Sequence, residues 1–193
     1  MASNAPAGTH DYVYPALIER LESSSIDKGE SEANGHITNP IARDIIPELD
    51  FEETEYTVWD GETAGWDQTP DDGGWDAGEF TVYEVDSDTG KAERRVNVVY
   101  GFEVIEGGDK VKTVRFRGSD DQVFERAKVE GLSEDADTPV DRQKVLRSPV
   151  AFGPQDNGTV SFELAGGEEG DEVKIKFLGV TVEKQGRRVG SRT

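Results

Sequence analysis

The residues with most capacity for chemistry lie between Trp59 and Asp76. There Trp59, Trp66 and Trp75 alternate with Asp60, Glu62, Asp67, Asp71, Asp72 and Asp76, among glycines. Hard cations want clustered carboxylates, and aromatic side chains dominate contact hot spots. The stretch therefore has three readings. It is a ligand loop for a cation or a sugar, with Trp66 and Trp75 as the stacking platform. It is a subunit contact through the same two residues. Or it is a long surface loop pinned by its tryptophans. A second acidic stretch, Asp86-Ser87-Asp88-Thr89-Gly90-Lys91, begins like a calcium loop. Such a loop needs a further acid before the glycine and a glutamate at its twelfth position. Asn97 stands there, so the segment is read as a hairpin turn. Asn157-Gly158-Thr159 fits both an N-glycosylation acceptor and a tight turn, and the turn is the preferred reading.

Enzyme chemistry finds little to work with. The two histidines, His10 and His36, both lie in the polar N-terminal region, away from any strand that could hold a cupin-type metal. No nucleophile-elbow, phosphate-loop or zinc motif occurs. Carboxylate pairs are too numerous at this acid density to single out a glycosidase pair. The expectation is a protein that is not an enzyme, with no catalytic residue, no cofactor and no metal site.

The elements that would position these residues are mostly strands. From residue 54 onward apolar residues recur at every second position, the period of a half-buried strand. Eight runs carry that pattern: Thr54–Trp59, Glu79–Asp86, Arg94–Ile105, Lys110–Arg117, Gln122–Val129, Lys144–Phe152, Thr159–Leu164 and Glu172–Glu183. Gly107-Gly108-Asp109 predicts a hairpin between the third and fourth. Pro149 marks an edge or a bulge, and Gly179 a bulge. Eight strands without helical crossovers predict an all-β fold, a single eight-stranded jelly-roll sandwich or barrel over residues 51–184. Residues 1–50 read as an N-terminal arm with short helices. Its first 13 residues are extended. A helix at Tyr14–Glu22 groups Leu17, Ile18 and Leu21, and 23–39 form a flexible loop. A second short segment from Pro40 to Leu49 groups Ile41, Ile45 and Ile46. Residues 185–193 form a basic tail with Arg187, Arg188 and Arg192.

The charge balance is extreme. Asp and Glu number 41 against 21 Lys and Arg, a formal charge of −20 over 193 residues. A domain of this size is comfortable at a net charge of magnitude about 2–8. Self-repulsion at −20 opposes the compact state, and molar salt shortens the Debye length to about 3 Å and screens it. The acids are dispersed through every segment, which favours adaptation to brine over an acidic protein that binds cations or basic partners. Hydrophobic content of 34% is low enough to raise disorder, but the strand periodicity argues against it. There is no cysteine, no apolar run long enough to span a bilayer, and no signal-peptide pattern at the N-terminus. The expectation is synthesis in the cytoplasm.

An acid-rich chain with an N-terminal arm, an eight-strand body and a tail carrying Lys184, Arg187, Arg188 and Arg192 resembles a virion shell protein of a salt-loving host. In outline it is similar to the major capsid proteins of haloarchaeal icosahedral viruses with an internal membrane, built as single vertical jelly rolls. The resemblance rests on length, acidity and strand count, and transfers no individual residue. It implies a structural protein of the capsid that assembles with itself and a second capsid protein, over an internal membrane at its inner face. Nucleic acid is not bound specifically, and salt cations bind only non-specifically. In that setting Leu17, Ile18, Leu21, Ile45, Trp66 and Trp75 are candidate subunit contacts. Arg187, Arg188 and Arg192 are candidate contacts to a membrane or nucleic acid. The alternative is a halophilic carbohydrate-binding β-sandwich module that uses the Trp-rich loop 59–76.

Overall fold

The computed structural model describes residues 9–45, 50–54, 58–59, 64–66, 75–85, 95–118, 122–129, 132, 139–153, 157–168 and 170–184. The chain opens with helix α1 (Thr9–Ala33). Four short strands follow: β1 (Pro40–Asp44), β2 (Glu52–Glu53), β3 (Val58–Trp59) and β4 (Ala64–Trp66). Then come β5 (Gly78–Val85), β6 (Arg95–Glu106), β7 (Val111–Gly118) and β8 (Val123–Lys128). A single helical turn, α2 (Pro139–Arg142), leads into β9 (Gln143–Phe152), β10 (Gly158–Leu164) and β11 (Val173–Lys184).

Alternating Val, Ile, Phe and Tyr place one side of each long strand in a common interior, and the strands form two antiparallel sheets packed as a sandwich. The first sheet runs β3-β4-β11-β6-β9, with β1 also paired to β11. The second runs β2-β5-β10-β7-β8. Between them lies the main core, with Phe51, Tyr83, Phe102, Phe116, Phe152, Phe162 and Ile175 fully buried. The all-β expectation holds. Seven of the predicted runs, Glu79–Asp86 through Glu172–Glu183, coincide with β5 to β11 to within one residue at either end. The first predicted run survives as β3, and residues 55–57 lie outside the described residues. Pro149 does sit in a bulge on an edge strand. Val99 pairs with Val150 and Gly101 with Val145, so 146–149 loop out of β9. The register of β11 also breaks at Gly179, as predicted.

Connectivity departs from the expected hairpins. Apart from β3–β4 and β7–β8, consecutive strands lie in different sheets. The Gly107-Gly108-Asp109 turn is real, with the Lys110 amide donating to the Gly107 carbonyl, but it carries the chain from β6 across to the opposite sheet. Gly107 sits at φ 68°, and a Cβ there would strike the Glu172 carbonyl. Asn157-Gly158 likewise stands on a crossing, between β9 and β10.

The arm is also different. One helix of 25 residues replaces the predicted extended segment, short helix and loop. Its buried stripe is Ser25, Gly29 and Ala33, at the four-residue spacing of one helix face. These small residues let the helix backbone lie close against the outer face of the first sheet. There Ile26, Ala33 and Ile37 join Val96, Val98, Val180 and Val182 in a second, separate apolar cluster. Lys28 Nζ donates to the Pro149 carbonyl at 2.6 Å and ties the helix to β9. The segment from Pro40 is no helix: β1 pairs antiparallel with the end of β11, from Pro40 opposite Lys184 to Asp44 opposite Val180.

A side chain at Gly29 has no room, because its Cβ would press on Val182 and Val98. Gly29→Leu is expected to cost about 1–3 kcal/mol through overpacking, despite leucine's better helix propensity. Chemical denaturation at fixed high salt measures this. A variant as stable as the parent would show that the helix does not lie against β6 and β11.

Candidate functional site

The most elaborate cluster of polar side chains closes one end of the sandwich around Asp50. Arg43 on β1 stands opposite Thr181 on β11, which stands opposite Asn97 on β6. Alternation places these three on the face away from Val96, Val98, Val180 and Val182, the residues under the helix. The Asp50 carboxylate, with no exposed side-chain surface, receives two bonds from Arg43, at 2.7 and 2.6 Å, and one from Thr181 Oγ1 at 2.9 Å. Arg95 lies at 3.4 Å, and Asn97 Nδ2 donates to the Asp50 carbonyl at 2.7 Å. Glu183 pairs with both arginines from the other side. Burial pulls the Arg43 guanidinium down, but its bonds to Asp50 and Glu183 outweigh that and raise it above its ordinary range. The next residue, Phe51, enters the core against Tyr83, Phe152 and Phe177, and β2 then joins the second sheet. The cluster is a structural clasp that holds the β1–β2 connection to the first sheet, and the sequence reading missed it. Its members span residues 43 to 183, so no local spacing marks them.

The predicted contact residues do not assemble into one site. Trp75 is buried in the main core, and its Nε1 donates to the Ala165 carbonyl at 2.8 Å. It exchanges backbone bonds with Gly167, whose missing side chain leaves the space for the indole. Trp75 thus pins the loop to its own sandwich, and neither a sugar platform nor a subunit contact can use it. Trp66 belongs to β4, opposite Val173; its side chain, most of loop 59–76, and Ile46 lie outside the described residues. Ile45 is half-buried and packs against the main core. Leu17 is exposed and Ile18 and Leu21 are half-buried on α1, and none of them belongs to either apolar cluster. Arg187, Arg188 and Arg192 lie outside the described residues. Asn157 is exposed at the entrance to β10.

The second sheet presents a different outer surface. Glu79 on β5 pairs with Arg115 and Arg117 on β7. Glu163 on β10 pairs with Arg115 at 2.6 Å and with Arg126 on β8 at 3.2 Å. Burial pushes the Glu163 carboxyl up, but Arg115, Thr113, Arg126 and Lys112 together hold it below its ordinary range. This ladder borders an open groove of about 500 Å³ lined by Lys112, Arg126, Lys128, Val129, Leu132 and Glu163, among others. At the adjoining turn the Glu168 amide and the Lys110 ammonium hold Asp171 low, and Asp171 in turn raises Lys110. The signal for this surface was in the sequence. Residues 110–128 hold six bases, Lys110, Lys112, Arg115, Arg117, Arg126 and Lys128, against three acids, Asp120, Asp121 and Glu125, in a chain of net charge −20.

Among the described residues, no group of three or more His, Asp or Glu side chains is arranged to hold a metal ion. No described helix is long and apolar enough to cross a membrane. Compared with known proteins, the chain matches no protein-family model and no curated protein.

Removing the Asp50 carboxylate leaves two arginines facing a closed space. Asp50→Ala is expected to cost about 3 kcal/mol, the lower end for a broken buried pair. The lower end applies because Arg43 and Arg95 keep 23% and 19% of their side-chain surface exposed. Equilibrium unfolding in high salt reads this, and a loss below about 1 kcal/mol would contradict the clasp. Acid titration offers a second check. Glu163 and Asp171 are held below their ordinary values of 4.5 and 3.8, so their contribution is present above those values. It is lost as pH falls through the lower folded values. Glu163→Gln and Asp171→Asn are expected to flatten the fall in melting temperature below pH 4.5; an unchanged acid limb would count against these pairs.

Proposed function

We propose that this chain is a structural shell subunit, a single jelly roll that assembles into the capsid of a halophilic virus. The observation that carries the reading is the pairing of the eight strands β4 to β11. The first pairs with the last, β4 with β11. Inside that pair lie β5 with β10, β6 with β9, and β7 with β8. Such nesting describes one long antiparallel ribbon, and successive pairs alternate between the two sheets. Rolling a ribbon of this kind into two facing sheets gives the jelly roll, an architecture used by viral shells and lectins. On this assignment β1, β2 and β3 are additions to an eight-strand body.

The charge of −20 supports a setting in brine. It accords with the resemblance to the capsid proteins of haloarchaeal viruses with an internal membrane. The residence that follows is the virion, with a second capsid protein and the membrane as neighbours. The exposed Leu17 and half-buried Ile18 and Leu21 on α1 remain candidates for contact with a neighbouring subunit. The sugar-binding alternative loses its footing where Trp75 is locked into the core, since its platform needed both Trp66 and Trp75.

The reading predicts association that rises with salt. Sedimentation velocity of the purified chain, alone and with the host particle's other shell protein, is expected to show multimers in molar NaCl that dissociate on dilution into low salt. A chain that stays monomeric across the whole range, with and without that partner, would overturn it.

A further inference from the structure

The two broad faces of the sandwich differ in how charge is laid out: acids outnumber bases on the exposed side of α1, and bases gather on β7 and β8 of the second sheet, with Glu52 and Glu84 at its other end. The first sheet is covered by α1, whose exposed side chains include Glu19, Asp27, Glu30 and Glu32. The outer face of the second sheet has no helix packed on it among the described residues. It carries the basic strands β7 and β8 instead. Arg115, Arg117 and Arg126 are held by Glu79 and Glu163. Lys112 and Lys128 flank the groove, exposed, and no described carboxylate makes an ion pair with either. They lie side by side: the Val129 amide, next to Lys128, donates to the Lys112 carbonyl.

We infer that the Lys112–Lys128 face of one copy docks on the acidic outer face of α1 of a second copy. The occupant follows from charge complementarity. A surface whose Lys112 and Lys128 make no ion pair with a described carboxylate, on a chain with nearly twice as many acids as bases, finds its complement on the acidic helix of a second copy. A front-to-back contact of this kind is heterologous. It uses two different patches on each subunit and generates rings where the rotation closes, or open arrays where it does not. Salt acts on it in two ways. The repulsion between two chains of −20 is long-range and disappears as the Debye length shrinks to about 3 Å in molar NaCl. The ammonium–carboxylate contacts are made at close range and lose less. Net association therefore increases with salt, the reverse of the behaviour of an ordinary charge-driven complex.

This inference rests on the shell reading, since it names the surface through which subunits meet. Two charge-reversed variants test it, Lys112→Glu/Lys128→Glu and Asp27→Lys/Glu30→Lys, with folding checked by circular dichroism. In molar NaCl each variant alone is expected to associate at least tenfold more weakly than the parent. An equimolar mixture of the two is expected to recover association, because each reversed face then meets its complement on the other variant. Recovery cannot come from a variant that merely fails to fold. If the parent assembles and both variants assemble equally well, the shell reading stands and this interface is wrong. A mixture that does not recover also overturns it. If the lysine variant loses binding to a polyanion such as heparin while self-association is unchanged, the groove serves a polyanion instead. A parent that never associates overturns both readings.

Discussion

The Asp50 carboxylate has no exposed side-chain surface, and an enclosed charge has to be answered by partners or the fold does not form. Its answer is the guanidinium of Arg43, reinforced by Arg95 and Thr181, while Asn97 donates to the Asp50 main-chain carbonyl. That requirement fixes much of the molecule at once. Arg43 reaches Asp50 because β1 is laid against β11, and Asn97 and Thr181 reach it because β6 and β11 are in register. With Asp50 held, Phe51 is delivered to the core and the chain passes to the second sheet. In a chain with 41 acids and only 21 bases, two arginines are committed to this one enclosed acid. The isolated pair is not a source of great stability compared with an apolar plug. Its value lies in fixing where the arm joins the body.

The remaining cations are distributed unevenly. On the first sheet the outer surface is apolar, Val96, Val98, Val180 and Val182, and a helix covers it. On the second sheet the outer surface is a ladder of Arg and Glu, with lysines at the groove. One sandwich thus has a covered acidic side and an open side with a basic strip. Surface ion pairs of the ladder type contribute little each, roughly 0–1 kcal/mol. Their consequence is local: they hold Arg115, Arg117 and Arg126 in place across the second sheet, beside the groove.

The strands were legible because alternation survives in most of them: β5, β7, β10 and β11 set Val, Phe, Tyr, Leu or Ile against the core, and β8, which buries Ala127 and exposes Val123 and Phe124, departs widely from it. Their partners were not. Gly107-Gly108 and Asn157-Gly158 announce a reversal of direction, but turn chemistry does not say whether the chain returns to the same sheet or crosses to the other. The helix was misread for a different reason. Its buried face is Ser25, Gly29 and Ala33, residues that a search for apolar periodicity passes over, while Leu17 and Leu21, which that search selects, lie outside both clusters. The segment from Pro40, where Ile41 and Ile45 suggest a short apolar face, opens instead with a strand whose position is set by β11, far along the chain. Trp75 was correctly marked as unusual, yet its place in the core depends on the gap at Gly167. The Asp50 clasp joins positions up to 140 residues apart, Arg43 and Glu183 being paired directly, and no local pattern could announce it.

The central claim is that this acidic sandwich is a building unit whose copies meet front to back in brine. Electron cryo-microscopy of the purified chain, concentrated in molar NaCl, tests it most directly. The account predicts rings or curved arrays in which the α1 side of each sandwich faces the β7–β8 side of its neighbour. A field of separate single sandwiches, or arrays in which α1 faces α1, would contradict it.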